Sequence, residues 1–161
     1  MSRPPPEEAS RRPREGSGIS LDAEGRFLHR GEPITHARTL EVLRRTFRRE
    51  PDGRYSVSIG RECAYVALEA APYAVLAVEE TPRGIVPRLF LSDGTLEPLD
   101  PASLRLGDDG VLRCVVKGDR EAQFTRAGQL ALGARLEEDP PGSGSYTLLV
   151  NGRRWPVRRP R

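Results

Sequence analysis

The chain has 161 residues, 26 of them basic and 23 acidic, for a formal net charge of +3. Hydrophobic residues make up 37% and charged ones 30%, a balance that supports a packed core and excludes the signature of a fully disordered chain. The sequence pI near 9.2 points to nucleic acid only where basic residues cluster, and an excess of +3 argues against that class.

Cys63 and Cys114 are far apart and form no CxxC, which gives neither a zinc nor a redox signature. No stretch approaches the roughly 20 apolar residues of a membrane helix, and no apolar signal-peptide core opens the sequence. A cytoplasmic protein without a membrane span is the expectation.

Residues 1–16 are rich in Pro, Arg and Glu and read as a solvated tail. A first α+β repeat is expected over 17–80. Leu21-Asp22-Ala23-Glu24-Gly25-Arg26-Phe27 places an acidic, glycine-containing turn between apolar residues, a hairpin signal. Ile34-Thr35-His36-Ala37 then starts a helix with Thr35 as its cap, running to about Arg49 with Ala37, Leu40, Leu43 and Phe47 as one buried stripe. A second hairpin, Tyr55 to Val66, turns at Gly60-Arg61, with Tyr55, Val57, Ile59, Ala64 and Val66 on its core face. Tyr73 to Glu79 reads as a buried strand. Within the connection 81–103, Ile85 to Leu91 reads as a strand whose Pro87 suits an edge position.

The same order returns over 104–157. Leu106-Gly107-Asp108-Asp109-Gly110-Val111-Leu112 matches the first hairpin at an offset of 85, and Phe124-Thr125-Arg126-Ala127 matches the helix start at 90, the difference falling in the longer run Cys114 to Asp119. The second helix is expected to bury Ala127, Leu130, Ala131 and Ala134 and to reach about Glu138 before Pro140-Pro141, despite Gly128 and Gly133. Tyr146 to Val157 equals the Tyr55 to Val66 hairpin in length and turns at Asn151-Gly152, a type I′ pair, with Leu148 facing a core Trp155. Residues 158–161 form a short basic tail. The fold class expected is α+β: two similar β-hairpin/helix/β-hairpin motifs with antiparallel sheets and one helix packed on each.

The segment Gly18 to Ile34, with Glu50-Pro51-Asp52-Gly53-Arg54-Tyr55, Glu69-Ala70-Ala71-Pro72-Tyr73 and the closing Val150 to Val157, resembles the proteobacterial family called domain of unknown function 1285 (DUF1285). The resemblance spans roughly residues 18 to 157. It implies a fold of two similar α+β motifs and a signalling or binding role, with no catalytic residue or cofactor to carry over. The small residues of the second helix, Gly128 and Gly133, depart from the family pattern.

Few residues carry chemistry. His29 and His36 are the only side chains with an intrinsic pKa near neutrality, and Cys63, on the less apolar hairpin face with Ser56, Ser58 and Tyr65, is the nucleophile to weigh against plain burial. The acidic turns Asp22/Glu24 and Asp108/Asp109 lack the remaining oxygen ligands of a calcium loop, so no metal or other cofactor is expected. Arg44, Arg45, Arg48 and Arg49 cluster at the expected end of the first helix, where they complement its negative end. With Arg153 and Arg154 they are the candidate site for an anionic ligand or acidic protein partner. No nucleophile, base and oxyanion group converge in the pattern, so the leading expectation is a non-enzymatic binding or regulatory module. The alternative is a small-ligand carrier or enzyme with its site between the repeats.

Overall fold

The periodic stretch after Thr35 is helical but shorter than its apolar pattern suggests, and the reason lies in the threonine that ends it. In the computed structural model, which describes residues 12–160, helix α1 spans Ala37–Thr46. The Thr46 hydroxyl donates toward the Val42 carbonyl at 2.7 Å and lies 3.1 Å from the Ser58 carbonyl, and it accepts from the Ser58 N–H at 3.0 Å. Phe47 is already extended; its ring stacks on Tyr55 at 4.9 Å and meets Phe27 edge-on at 6.0 Å. Arg48 and Arg49 therefore lie in a short strand, not in the helix. At the other end His36, not Thr35, is the cap: its Nδ1 accepts from the Thr39 N–H at 3.3 Å.

The described residues fall into two compact units, 12–22 with 26–69, and 23–25 with 70–160. In the first, strands β1 (Ile19–Leu21), β2 (Phe27–His29), β3 (Glu32–Pro33), β4 (Arg48–Arg49), β5 (Tyr55–Ile59) and β6 (Glu62–Leu68) form one sheet in the order β3-β2-β1-β6-β5-β4. The expectation of purely antiparallel sheets is corrected here: β1 runs parallel to β6, with Ser20 opposite Ala67. A two-residue turn cannot join parallel neighbours, so the intervening helix and hairpins form the crossover. The expected tail also needs correction, because Pro13 is buried and Arg14 bridges Ala64. Residues 1–11 lie outside the described part.

The second unit carries β7 (Tyr73–Val78), β8 (Arg88–Leu91), β9 (Leu96–Pro98), a 3₁₀ turn (Pro101–Ser103), β10 (Arg105–Leu106), β11 (Leu112–Val116) and β12 (Arg120–Phe124). Helix α2 (Arg126–Gly133) and strands β13 (Leu136–Glu138), β14 (Tyr146–Val150) and β15 (Arg153–Pro156) follow. Its sheets are β10-β11-β12-β7-β8-β9 and β13-β14-β15. Beyond β15, Arg158 bridges Arg105 in parallel, and the Leu106 N–H donates to the Arg158 carbonyl at 2.8 Å. The basic end thus continues the pairing instead of forming a free tail. The first unit, and residues 105–158 of the second, each run three strands, a helix and three strands, and in each the opening strand pairs in parallel with residues at or just beyond the end of the last. Even the register agrees: Ser20/Ala67 and Arg105/Arg158 are displaced by 85 and 91 positions, as are the opening and closing hairpins.

Further expectations are revised. The run Cys114 to Asp119 is the end of β11 and a turn at Lys117-Gly118, both at positive φ, as are Arg30-Gly31 in the shorter first-unit hairpin. Strand β8 begins after Pro87 and lies between β7 and β9, so it is not an edge. Strand β7, expected to end the first repeat, pairs with β12 and β8 in the second unit.

Helix α2 shows the largest departure. It ends at Gly133, and residues up to Glu138 are a strand. Its buried positions are Gly128 and Leu132, whereas Ala127, Leu130, Ala131 and Ala134 face outward, Leu130 being 69% exposed. Thr125 caps the helix as expected, accepting from the Gly128 N–H at 3.1 Å and donating to the Val75 carbonyl at 3.1 Å. That bond draws α2 onto β7 so closely that a Cβ at Gly128 would press into the Val75 carbonyl oxygen. Close approach, not side-chain periodicity, chose the buried face.

Two glycines of one helix should therefore respond oppositely to alanine. Gly128→Ala is expected to lower stability by about 2 kcal/mol or more through backbone displacement. Gly133, with nothing within 4 Å of its would-be Cβ, should gain about 0.5–1 kcal/mol on the same change. Urea unfolding of the two variants checks both signs.

Candidate functional site

Strand alternation assembles a groove on one face of the first unit. Paired residues share a face of a sheet, so Val57 opposite Ala64, Ile59 opposite Glu62, and Ile19 opposite His29 all project the same way. Arg14 joins them through its bridge to Ala64. The main chain holds Arg14 in place: its N–H donates to the Cys63 carbonyl at 2.7 Å, and its carbonyl accepts from the Tyr65 N–H at 3.0 Å. After Arg14 the chain leaves the sheet for three extra residues before β1 resumes the pairing. Gly16 and Gly18 supply positive φ there, and the Ser17 hydroxyl donates to the Tyr65 carbonyl at 3.1 Å.

Thr39 and Leu43 of α1, with Ile34 before it, complete a cavity of about 320 Å³. Its body is aliphatic, formed by Ile19, Ile34, Leu43, Val57, Ile59 and Ala64. Its polar groups are Arg14, Ser17, His29, Thr39 and Glu62. Two of these are engaged, Ser17 as above and Thr39 with His36 Nδ1 at 3.0 Å. The side chains of Arg14, His29 and Glu62 make no hydrogen bond or ion pair among the described residues. A mainly apolar cavity with a few free polar groups is the usual form of a small-molecule site.

Of the histidines weighed from sequence, His29 lines this groove and His36 serves as the helix cap. Cys63 lies beside Ala64 in β6 and pairs with Ser58, so it belongs to the opposite face, away from the groove and from His29. It is a free, buried thiol, 8% exposed. Cys114 is wholly enclosed in the second unit, and burial pushes its thiol up to about 12. On the face that carries Cys63, Arg54 stacks over Tyr65 at 3.6 Å and pairs with Glu15 and Asp52 at 2.6 and 2.9 Å, while the Tyr65 hydroxyl donates to Asp52 at 2.9 Å. The backbone N–H of Arg54, foremost, holds the Asp52 carboxyl below its ordinary range. This network fixes the 50–54 turn and leaves no free group.

The arginines singled out from sequence separate. Arg44 and Arg45 occupy the last turn of α1 and are exposed. Arg48 pairs with Glu50 at 3.0 Å, and Arg49 sits opposite Tyr55 at the sheet edge. In the second unit Arg153 stacks on the half-buried Trp155 at 4.0 Å, and Arg154 pairs with Asp139 at 3.0 Å. Trp155 does face Leu148.

Both acidic turns act as hairpin tips. The Arg26 N–H donates to Asp22 Oδ1 at 2.8 Å, and the Val111 N–H donates to Asp109 Oδ1 at 3.1 Å. Arg113, at 2.7 Å, holds the Asp109 carboxyl down to about 2. Among the described residues no cluster of His, Cys, Asp and Glu is placed to hold a metal, and no helix is long and apolar enough to cross a membrane.

Sequence reasoning passed over Arg14, Thr39 and Glu62. Arg14 hid in a Pro/Arg run, and the signal that it returns to the sheet is the glycine pair flanking Ser17, a bulge pattern.

Buried away from the groove, Cys63 is expected to behave as a structural thiol. With Ellman's reagent at pH 8, both thiols of the native protein should react at least about tenfold more slowly than free cysteine, and both should react at once in guanidinium. Labelling of Cys63 at the rate of free cysteine would restore it as a nucleophile.

No family model matches the sequence, and a comparison with curated proteins finds no match. Solved structures do match. A DUF1285 family protein from Silicibacter pomeroyi DSS-3 is similar at a TM-score of 0.66 and 18% identity, over 96% of this chain and 87% of that one. A second, from Shewanella baltica OS155, is similar at 0.53 and 19%, over 70% of this chain and 87% of that one. Sharing an α+β architecture with both, the chain is DUF1285-like in fold.

Proposed function

We propose that the protein is a non-enzymatic binding module whose ligand is a small, mainly aliphatic molecule taken into the groove between α1 and the first-unit sheet. The observation that carries this reading is the pairing of an aliphatic cavity of about 320 Å³ with three polar side chains, Arg14, His29 and Glu62, that have no side-chain partner among the described residues. Catalysis is less well supported. The groove's two hydroxyls are engaged by Tyr65 and His36, and Cys63 faces the other way, which leaves His29 without a nucleophile to activate. The alternative of a site between the repeats is not needed to account for the groove, since every lining residue belongs to the first unit. A regulatory role fits a module that changes stability on binding: a ligand at 100 times its dissociation constant adds about 2.7 kcal/mol.

Ile59 gives a clean test because it lines the groove yet is 48% exposed, so a longer side chain there is tolerated by the fold. Titrating 3-methylbutan-1-ol into the ¹⁵N-labelled chain should shift amides around Val57, Ile59, Ala64 and Leu43 in a saturable way. Ile59→Arg should abolish the shifts while changing unfolding free energy by no more than about 0.5 kcal/mol. Shifts scattered over both units, or unaffected by the substitution, would contradict the assignment.

A further inference from the structure

Resting on the groove reading, we infer that the ligand is a small zwitterion with a branched apolar body, of the α-amino-acid class. The warrant is the arrangement of opposite charges around one alanine. Arg14 is the sheet neighbour of Ala64, and Glu62 stands two residues along β6 on the same face. With strands about 4.8 Å apart and about 6.7 Å between same-face residues, their Cα atoms are roughly 8 Å apart. They make no ion pair with each other, and neither has another side-chain partner among the described residues.

A ligand with only a carboxylate would meet Arg14 but sit beside the uncompensated Glu62, and one with only an ammonium would face the reverse. An ammonium and a carboxylate on one carbon answer both, and such like-charge juxtaposition is what rejects the singly charged analogues. His29, next to Ile19 on the same face, offers a further donor to the carboxylate. The apolar body then lies against Leu43, Val57 and Ile59. At about 320 Å³ the groove stands at the small end of ligand sites, with room for a molecule the size of a branched-chain amino acid.

The test uses the full chain, the groove amides as reporters and four probes: L-leucine, 4-methylpentanoate, 3-methylbutylamine and 3-methylbutan-1-ol. Leucine should bind at least about fivefold more tightly than the acid or the amine, the scale expected of one partly exposed charge pair. Glu62→Gln should erase its advantage over the acid, and Arg14→Gln its advantage over the amine. If the acid or amine binds as tightly as leucine, or if either substitution leaves leucine binding unchanged, the zwitterion assignment is overturned. The groove reading then survives provided the alcohol still shifts Val57 and Ile59. If no probe shifts the groove amides, both fall together.

Discussion

The parallel pairing of β1 with β6 is the constraint on which the first unit rests. Antiparallel hairpins form locally, but they leave open edges, and a short hairpin alone is marginally stable in water. Drawing Ser20 beside Ala67 joins two such ribbons, β1-β2-β3 and β6-β5-β4, into one sheet broad enough to bury Phe27, Phe47 and Tyr55 together. The same step sets Arg14 against Ala64 and ejects the glycine-flanked Ser17 from the sheet. The groove is a by-product of that closure, since its face draws on β1, β2, β5 and β6 at once.

In the second unit the corresponding closure contracts to the Arg105/Arg158 bridge, and three additional strands extend the sheet through β7 instead. Its helix is drawn down onto β7 by Thr125 until only glycine fits at position 128. The aliphatic groove, with charges that have no side-chain partner among the described residues, belongs to the first unit.

Much of the local structure was legible because turn chemistry is local. Asn151-Gly152 and Gly60 mark the closing hairpins through the φ that only certain residues adopt freely, and the alternation around them names the shared faces, although Ile59 is exposed and Trp155 only half-buried. What the residues could not disclose is what depends on contacts between distant segments. Thr46 ends α1 by bonding to Ser58, which moves two of the candidate arginines from a helix to a strand. An alanine-rich helix reads as apolar on several faces, and only the approach to Val75 decides which is buried. The site suffered likewise: His29 stood out by its pKa class, whereas Arg14 acquires meaning only once its carbonyl meets Tyr65.

The closure itself can be observed through amide hydrogen exchange of the intact chain. The N–H groups of Tyr65 and Glu69 report on it alone, since they donate to the carbonyls of Arg14 and Leu21, each at 3.0 Å. Protection of both amides on the scale of the β5–β6 hairpin is the result this structure predicts. Exchange of either at the rate of an unstructured peptide would mean that the first strand does not close the sheet, and the groove would lose the side that Arg14 and Ile19 provide.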